Sequence, residues 1–488
     1  QINTGNEKEL EVAWTFRTGR DTKGMTEDQN TPLQVGNTLY ACTPHNVVFA
    51  LNADTGEQRW KFDPQAKSPL WQRCRGVSYY DASKSTPVSA APADASAPTA
   101  PTAPAAPASC AKRIVLTTID TRLIQLDAAT GQPCAGFGNN GTVDLKAGMG
   151  AVDPGYYFQT SAPTVVRDLI VVGGWVWDNV KMGEPSGVVR AFNANTGALV
   201  WAWDLGNPAI TGEPPAGQSY TRGTPNVWST PAFDDKLGLI YLPTGNETPD
   251  FWGGKRTKAA EEYSASVVAL DIATGRERWK FQTVHHDVWD YDVPSQPALY
   301  DVKGKDGQPV PALVQITKRG QIFMLDRRDG TPIAEVQEKP VPQGAAEGDF
   351  LSPTQPYSVG MPAIGANTLT EADMWGVTPF DQLMCRIAFK GLRYEGEFTP
   401  PNTTKSLQYP GFYGGMNWGS ASIDERRGWL IVNDMRIPQV VQLIPRDVTE
   451  TRLAAKKAGQ DGHAGLAAAF RDWFEAFVPE PDRIEARR

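Results

Sequence analysis

Short apolar runs punctuate the chain, and several of them close on the same polar turn. The turn is Asx-x-x-Thr-Gly, followed by a Trp four residues after the Gly. It occurs as Leu51-Asn52-Ala53-Asp54-Thr55-Gly56 with Trp60, as Phe192-Asn193-Ala194-Asn195-Thr196-Gly197 with Trp201, and as Leu270-Asp271-Ile272-Ala273-Thr274-Gly275 with Trp279. Degenerate copies at 126–131 and 325–330 lack the Trp. Asp or Asn can bond its own turn backbone and Gly can take positive φ, so each copy predicts a β-hairpin. The recurring Trp is predicted to pack between neighbouring units. Copies stand tens of residues apart, about one four-stranded blade each, which points to a propeller or solenoid. Coincidental hairpins in a β-sandwich are the alternative, but they would not repeat the Trp offset.

Composition agrees with many short strands rather than long helices: 46 Gly and 39 Pro supply turns, and 15 Trp, 14 Tyr and 18 Phe favour sheet. The 488 residues are 40% hydrophobic, ample for a core, and all-β folds of this size often run as one unit. A net charge of -8 argues against a nucleic-acid partner, which would call for clustered Lys and Arg. No apolar run reaches the roughly 18 residues needed to span a bilayer, and the polar opening Gln1-Ile2-Asn3-Thr4-Gly5 has no signal-peptide character. Five cysteines without C-x-x-C spacing make a zinc site unexpected and leave the redox compartment open. Residues 86–109 are Ala/Pro/Ser/Thr-rich, an expected loop insertion in a domain spanning 1–448. Residues 449–488 predict a charged, partly helical tail, with apolar spacing around 453–457 and 467–474.

The segment His285-His286-Asp287-Val288-Trp289-Asp290-Tyr291-Asp292-Val293-Pro294 resembles the signature of membrane-associated pyrroloquinoline quinone (PQQ) dehydrogenases of the glucose/quinate/shikimate type. Cys74-Arg75-Gly76-Val77-Ser78-Tyr79, Thr248-Pro249-Asp250-Phe251-Trp252-Gly253-Gly254, Lys339-Pro340-Val341-Pro342-Gln343-Gly344-Ala345-Ala346 and Arg393-Tyr394-Glu395-Gly396-Glu397-Phe398-Thr399-Pro400-Pro401 match in the same order. The resemblance runs from about residue 10 to residue 446. It implies an all-β, eight-bladed-type quinoprotein propeller with PQQ and a divalent cation, Ca²⁺ or Mg²⁺. It also implies membrane association through segments absent from this chain, oxidation at the periplasmic face of the inner membrane, and ubiquinone as acceptor. Beyond Pro445-Arg446 the family continues into further blades, where this chain has its tail, so a fragment or a disrupted reading frame is expected.

Oxidising an alcohol through a quinone needs a base, a cation polarising the quinone, and a rigid slot for a flat cofactor. By resemblance Asp290 matches the catalytic aspartate, with Asp287 and Asp292 beside it serving as turn caps. Asn246 matches a metal-ligating asparagine, with Asp290 shared by the metal and with Glu184 and Asp178 as further candidates against a reading as surface carboxylates. Trp228 matches the tryptophan that stacks on PQQ, against a docking Trp in a blade. Arg75 and Lys318 match positive groups at the PQQ oxygens, and Thr160, Asn417 and Trp418 match contacts closing the slot. His285 and His286 lack a companion ligand cluster and read as structural. Glucose enzymes place a His where this chain has Trp71, which favours quinate, shikimate or a related cyclic polyol as substrate; core packing is the other reading of Trp71. Glucose or another polyol, a non-catalytic propeller scaffold and an inactive truncated remnant are the alternatives.

Overall fold

The computed structural model describes residues 5–19, 26–70, 72–88, 110–179, 182–304, 307–365 and 367–457, with side chains described as far as 451. The repeats form antiparallel meanders. Four sheets have four strands each: Leu33–Val35, Thr38–Cys42, Val48–Asn52, Gln58–Phe62; Ser78–Asp81, Lys112–Thr117, Arg122–Asp127, Thr142–Asp144; Thr164–Val166, Leu169–Val172, Val189–Asn193, Leu199–Trp203; and Ala232–Asp234, Leu239–Pro243, Ser266–Asp271, Glu277–Gln282. A three-stranded sheet follows (Ala298–Lys303, Pro309–Ile316, Ile322–Asp326), then a hairpin of Ala421–Asp424 with Trp429–Val432. Serial meanders of this size are the blades that the repeat predicts.

Contacts divide the chain into two compact units. The first comprises Gln1–Trp177, Glu184–Leu242 and Ala269–Arg278; the second comprises Asp178–Gly183, Pro243–Val268 and Trp279–Arg488. In the first unit, inner strands are apolar at nearly every position because both sheet faces are covered. Ile114 and Leu116 point to the first sheet, meeting Tyr40, Val48, Ala50 and Trp60. Val115, between them in sequence, points the other way to Ile170, Val172 and Phe192 of the third sheet. The period-two alternation of a strand thus feeds two cores at once. In the second unit, Val314, Ile316 and Ile322 pack with Met416, Leu430 and Val432.

Each repeat Trp docks on the turn of the next repeat. Trp60 Nε1 donates to Ala128 O at 3.1 Å, Trp201 to Ile272 O at 2.9 Å, and Trp279 to Arg327 O at 3.2 Å. Beneath these rings lie Gly131, Gly275 and Gly330, all at positive φ, where an added Cβ would stand 2.5–2.7 Å from indole carbons. Glycine is therefore required twice over, for its backbone and for the ring above it. Trp14 makes the same contact, donating to Ala53 O and lying over Gly56, although no repeat precedes it in the sequence. The copy at 126–131 has no Trp to offer, and Gly138 N donates instead to Thr196 O beside Gly197.

Disulfides join Cys42 to Cys74 and Cys110 to Cys134 in the first unit, leaving Cys385 free and exposed. Among the described residues there are three α-helices: α1 (Lys258–Tyr263), α2 (Pro379–Lys390) and α3 (Arg446–Lys457). α2, which the apolar pattern did not predict, starts at a capping box in which Thr378 and Asp381 satisfy each other's backbone N–H. α3 is the helical part expected of the tail, beginning a few residues earlier; the segment 467–474 lies outside the described residues, as do 89–109 of the insertion. Among the described residues, no helix is long and apolar enough to cross a membrane.

Candidate active site

In the first unit, the strand Gln72–Cys74 pairs in parallel with Thr26–Asp28, and the Cys42–Cys74 bond fixes its end. Arg75 follows directly. Its Nη1 donates to Thr160 Oγ1 at 3.0 Å, to Ser161 Oγ at 3.3 Å and to Trp228 O at 3.4 Å, while Nε donates to Gln29 Oε1. The guanidinium lies 5.1 Å from the centre of the Trp228 ring, a cation–π distance. Burial, with Arg73's like charge, pulls Arg75 down to about 9 against the opposing charge of Glu27, so an anion beside it would be favoured. A small, partly open cleft lies here, lined by Gln159, Thr160, Ser161, Gly174, Trp175 and Trp228 among others. Gln159 is 3% exposed, and among the described residues neither of its amide atoms has a hydrogen-bond partner. Glu184 is buried in this unit, its carbonyl accepting from Gly223 N.

In the second unit, two segments far apart in sequence run together: Val293 N donates to Thr244 O, and Asn246 Nδ2 donates to Asp287 Oδ2 at 2.7 Å. Asp290 sits at φ +55°, in the left-handed region that side chains rarely adopt. Strain of this kind persists where surrounding contacts hold it. Here the contact is Lys318, whose Nζ donates to Asp290 O and Asp290 Oδ1, both at 2.8 Å, and to Asp292 Oδ1 at 2.6 Å. Gly414 at φ +80° makes room for the lysine stem, because a Cβ there would stand 2.5 Å from Lys318 Cγ. Lys318 is therefore a buried cation, with its pKa raised: burial alone would lower it, and Asp290 and Asp292 more than offset that.

Asp178 and Asp250 face the same cluster. Burial, then the charges of Asp290 and Asp292, push Asp178 up to about 7 against the pull of Lys318. Asp250 is raised by burial and by Asp178 and Asp292. Asn179 ties them, donating from Nδ2 to Asp250 Oδ2 at 2.6 Å and accepting Asp250 N at its Oδ1. Asp290 itself is raised, mainly by burial; Lys318 opposes this while Asp250 and Asp292 add to it. Asn417 turns inward on its own loop, donating to Tyr413 O and accepting Trp418 N. His286 bonds Glu261 and Asp349, both at 2.9 Å, and His285 bonds Gln282 and Glu338, in keeping with structural roles for both.

The model of the PQQ family's glucose/ethanol/alcohol dehydrogenase β-propeller domain matches residues 1–475. The chain belongs to this PQQ dehydrogenase propeller family. It is 46% identical over 472 residues to the quinate/shikimate dehydrogenase (quinone) of Acinetobacter baylyi, covering 96% of this chain and 58% of that protein. It is 42% identical over 473 residues to quinoprotein glucose dehydrogenase A of Acinetobacter calcoaceticus, covering 94% and 58%. The chain thus spans somewhat over half the length of these relatives. The structure of quinohemoprotein alcohol dehydrogenase from Comamonas testosteroni superposes with a TM-score of 0.60 at 23% identity, over 90% of this chain and 56% of that one, a likeness of fold.

The residues of this PQQ-family chain fit the groups that the family implies. Asn246 is 6% exposed, its Nδ2 is committed to Asp287, and among the described residues its Oδ1 has no hydrogen-bond partner, as a cation ligand requires. The carboxylates of Asp178, Asp250, Asp290 and Asp292 outnumber the one lysine among them, an imbalance that a divalent cation would correct. Among the described residues, no three His, Cys, Asp or Glu side chains make a metal-ligating cluster by themselves. Trp228, Arg75 against its ring and the unpartnered Gln159 amide are an aromatic face, a cation and a polar group of the kinds that a planar tricarboxylate such as PQQ needs.

The structure brings Asp178, Asp290 and Lys318 together, and Arg75, Thr160 and Trp228 together. Asp287 caps Trp289 N as expected and also holds Asn246, and Asp292 is an ion-pair partner of Lys318, a role that was not expected. Gln159 was missed because a lone Gln beside Thr160 carries no sequence signal; only its enclosed, unpartnered state gives it away. Trp71 lies outside the described residues.

Proposed function

We propose that this chain carries the cofactor and substrate site of a PQQ-dependent dehydrogenase oxidising a secondary hydroxyl of quinate, shikimate or a related cyclic polyol. The observation that carries it is the Asp290–Lys318–Asp292 arrangement beside Asn246 and its unpartnered oxygen. When bound, PQQ supplies the two-electron acceptor, and Ca²⁺ or Mg²⁺ polarises it. Asp290 accepts the hydroxyl proton at a carboxylate oxygen, its orientation fixed by the lysine and by its own strained backbone. Lys318 opposes the burial that raises Asp290, and presents positive charge where negative charge develops. Within the second unit, Asp178, Asn246 and Asp290 are the proposed cation donors. Within the first unit, Arg75, Thr160, Gln159 and Trp228 are the proposed PQQ contacts.

Quinate or shikimate is favoured over glucose by the name of the relative at 46% identity and by Trp71 in place of a histidine. Oxidation at the periplasmic face of the inner membrane agrees with two disulfides, which persist in oxidising compartments. Ubiquinone is the proposed acceptor, in line with the quinone in that relative's name. The test is reconstitution of the purified chain with PQQ and Ca²⁺, followed by dye reduction with quinate, shikimate and glucose. Turnover highest with quinate or shikimate supports the reading; turnover with glucose alone reassigns the substrate. Folded protein that binds PQQ but oxidises none of the three contradicts it.

A further inference from the structure

Asp287 is 0% exposed and both its oxygens are engaged. Oδ1 accepts Trp289 N at 2.9 Å, and Oδ2 accepts Asn246 Nδ2 at 2.7 Å. A carboxylate has no proton to donate, so it can face only the NH₂ side of the Asn246 amide. That choice leaves Asn246 Oδ1, buried and without a hydrogen-bond partner among the described residues, as the atom presented on the other side. We infer that Asp287 is a positioning residue that sets the amide orientation of Asn246 so that its oxygen, not its nitrogen, is offered to the divalent cation. The inference rests on the proposed cation site at Asn246 and adds how that site is kept in its ligating form. Partners of metal ligands commonly act in this way.

The geometry makes a sharp prediction for Asp287→Asn. Trp289 N still requires an acceptor, which holds the new amide with Oδ1 toward Trp289 and Nδ2 toward Asn246. Two NH₂ groups would then confront each other, and Asn246 escapes by turning over. It accepts from residue 287 and presents its own NH₂ toward the cation. The fold is kept, because both hydrogen bonds survive, the one between residues 246 and 287 with donor and acceptor exchanged. The reciprocal double variant, Asn246→Asp with Asp287→Asn, restores the arrangement: residue 287 donates to one carboxylate oxygen, and the other oxygen is free to ligate.

Ca²⁺ affinity of the purified full chain, measured by isothermal titration calorimetry, tests this without reference to turnover; far-UV circular dichroism and the melting temperature without cation check the fold. Asp287→Asn is expected to weaken Ca²⁺ binding by about 10–100-fold, the usual cost of losing a ligand's supporting partner, at unchanged secondary structure. The double variant is expected to recover most of that loss. Wild-type affinity in Asp287→Asn, or a double variant no better than the single one, overturns the positioning role while leaving the cation site standing. Absence of Ca²⁺ binding in the wild-type chain overturns the cation site, and this inference with it.

Discussion

Replacing Lys318 by Met removes the charge while keeping the aliphatic stem under Gly414, so packing is largely conserved. The lysine side chain is 5% exposed and its partners Asp292 and Asp290 are 7% and 22% exposed, with N–O distances of 2.6 and 2.8 Å. Removing one member of a buried ion pair costs about 3–5 kcal/mol, because the remaining charge stays desolvated. Asp290 keeps some access to water, which places the expected loss near the lower end, about 3 kcal/mol. Urea denaturation of wild type and Lys318→Met at neutral pH measures it. The same variant, reconstituted with PQQ and Ca²⁺, is expected to lose about 10²–10³-fold in turnover, the usual effect of removing one charge-stabilising donor. A stability change under about 1 kcal/mol is what a solvated surface pair would give. That result would refute the claim that this lysine is a buried anchor for the two aspartates.

Trp201, 2% exposed and docked on Ile272, is expected to cost about 3–5 kcal/mol on truncation to Ala, read as a shifted denaturation midpoint. Gln159→Leu is expected to weaken PQQ binding about 10-fold or more while leaving the melting temperature of the cofactor-free chain within a few degrees, measured by fluorescence titration; unchanged affinity removes Gln159 from the slot. The buried His286 ring faces Glu261 on α1, Asp349 and, at longer range, Arg256. Burial lowers its pKa, but the bonds to Asp349 and Glu261 outweigh that and leave it above its ordinary 6.5. Asp349 is held below its ordinary 3.8: burial raises it, and the bonds from His286, Gly253 and Phe350 more than offset that. The histidine's contribution is therefore complete below pH 6.5 and lost as pH climbs through its raised value, and the aspartate's is complete above pH 3.8 and lost as pH falls. Denaturation free energies of His286→Gln are expected to fall less steeply above pH 6.5 than those of wild type; parallel curves would contradict the pairing.

The propeller was legible because its repeat joins local and tertiary information in one motif. The Asx turn and its Gly make the hairpin, and the Trp at a fixed offset marks where the next hairpin must lie. Trp14 escaped notice because no Asx-x-x-Thr-Gly turn stands four residues before it, so the offset had no anchor. The cysteine pairing was not legible, since Cys42 and Cys74 meet only once the strand Gln72–Cys74 lies beside Thr26–Asp28. Among the candidate site residues, Asp290 and Lys318 were found through resemblance, but their bond spans 28 residues and nothing local announces it. Asp287 does cap its turn, but its bond to Asn246 and the Asp292 ion pair depend on Asn246 and Lys318 arriving from other loops. α2 went unread although Phe380, Leu383, Met384 and Ile387 stand at helical spacing; Phe380, Leu383 and Ile387 are exposed in the structure.

The central claim is that Asp290 is the base for alcohol oxidation at a PQQ site built by this chain. Its most direct test is Asp290→Asn, with quinate-dependent dye reduction and PQQ binding measured on the same reconstituted sample. Dye reduction falling by at least about 10³-fold while PQQ remains bound is the predicted result. Dye reduction retained at near wild-type rate, with the cofactor in place, would contradict it.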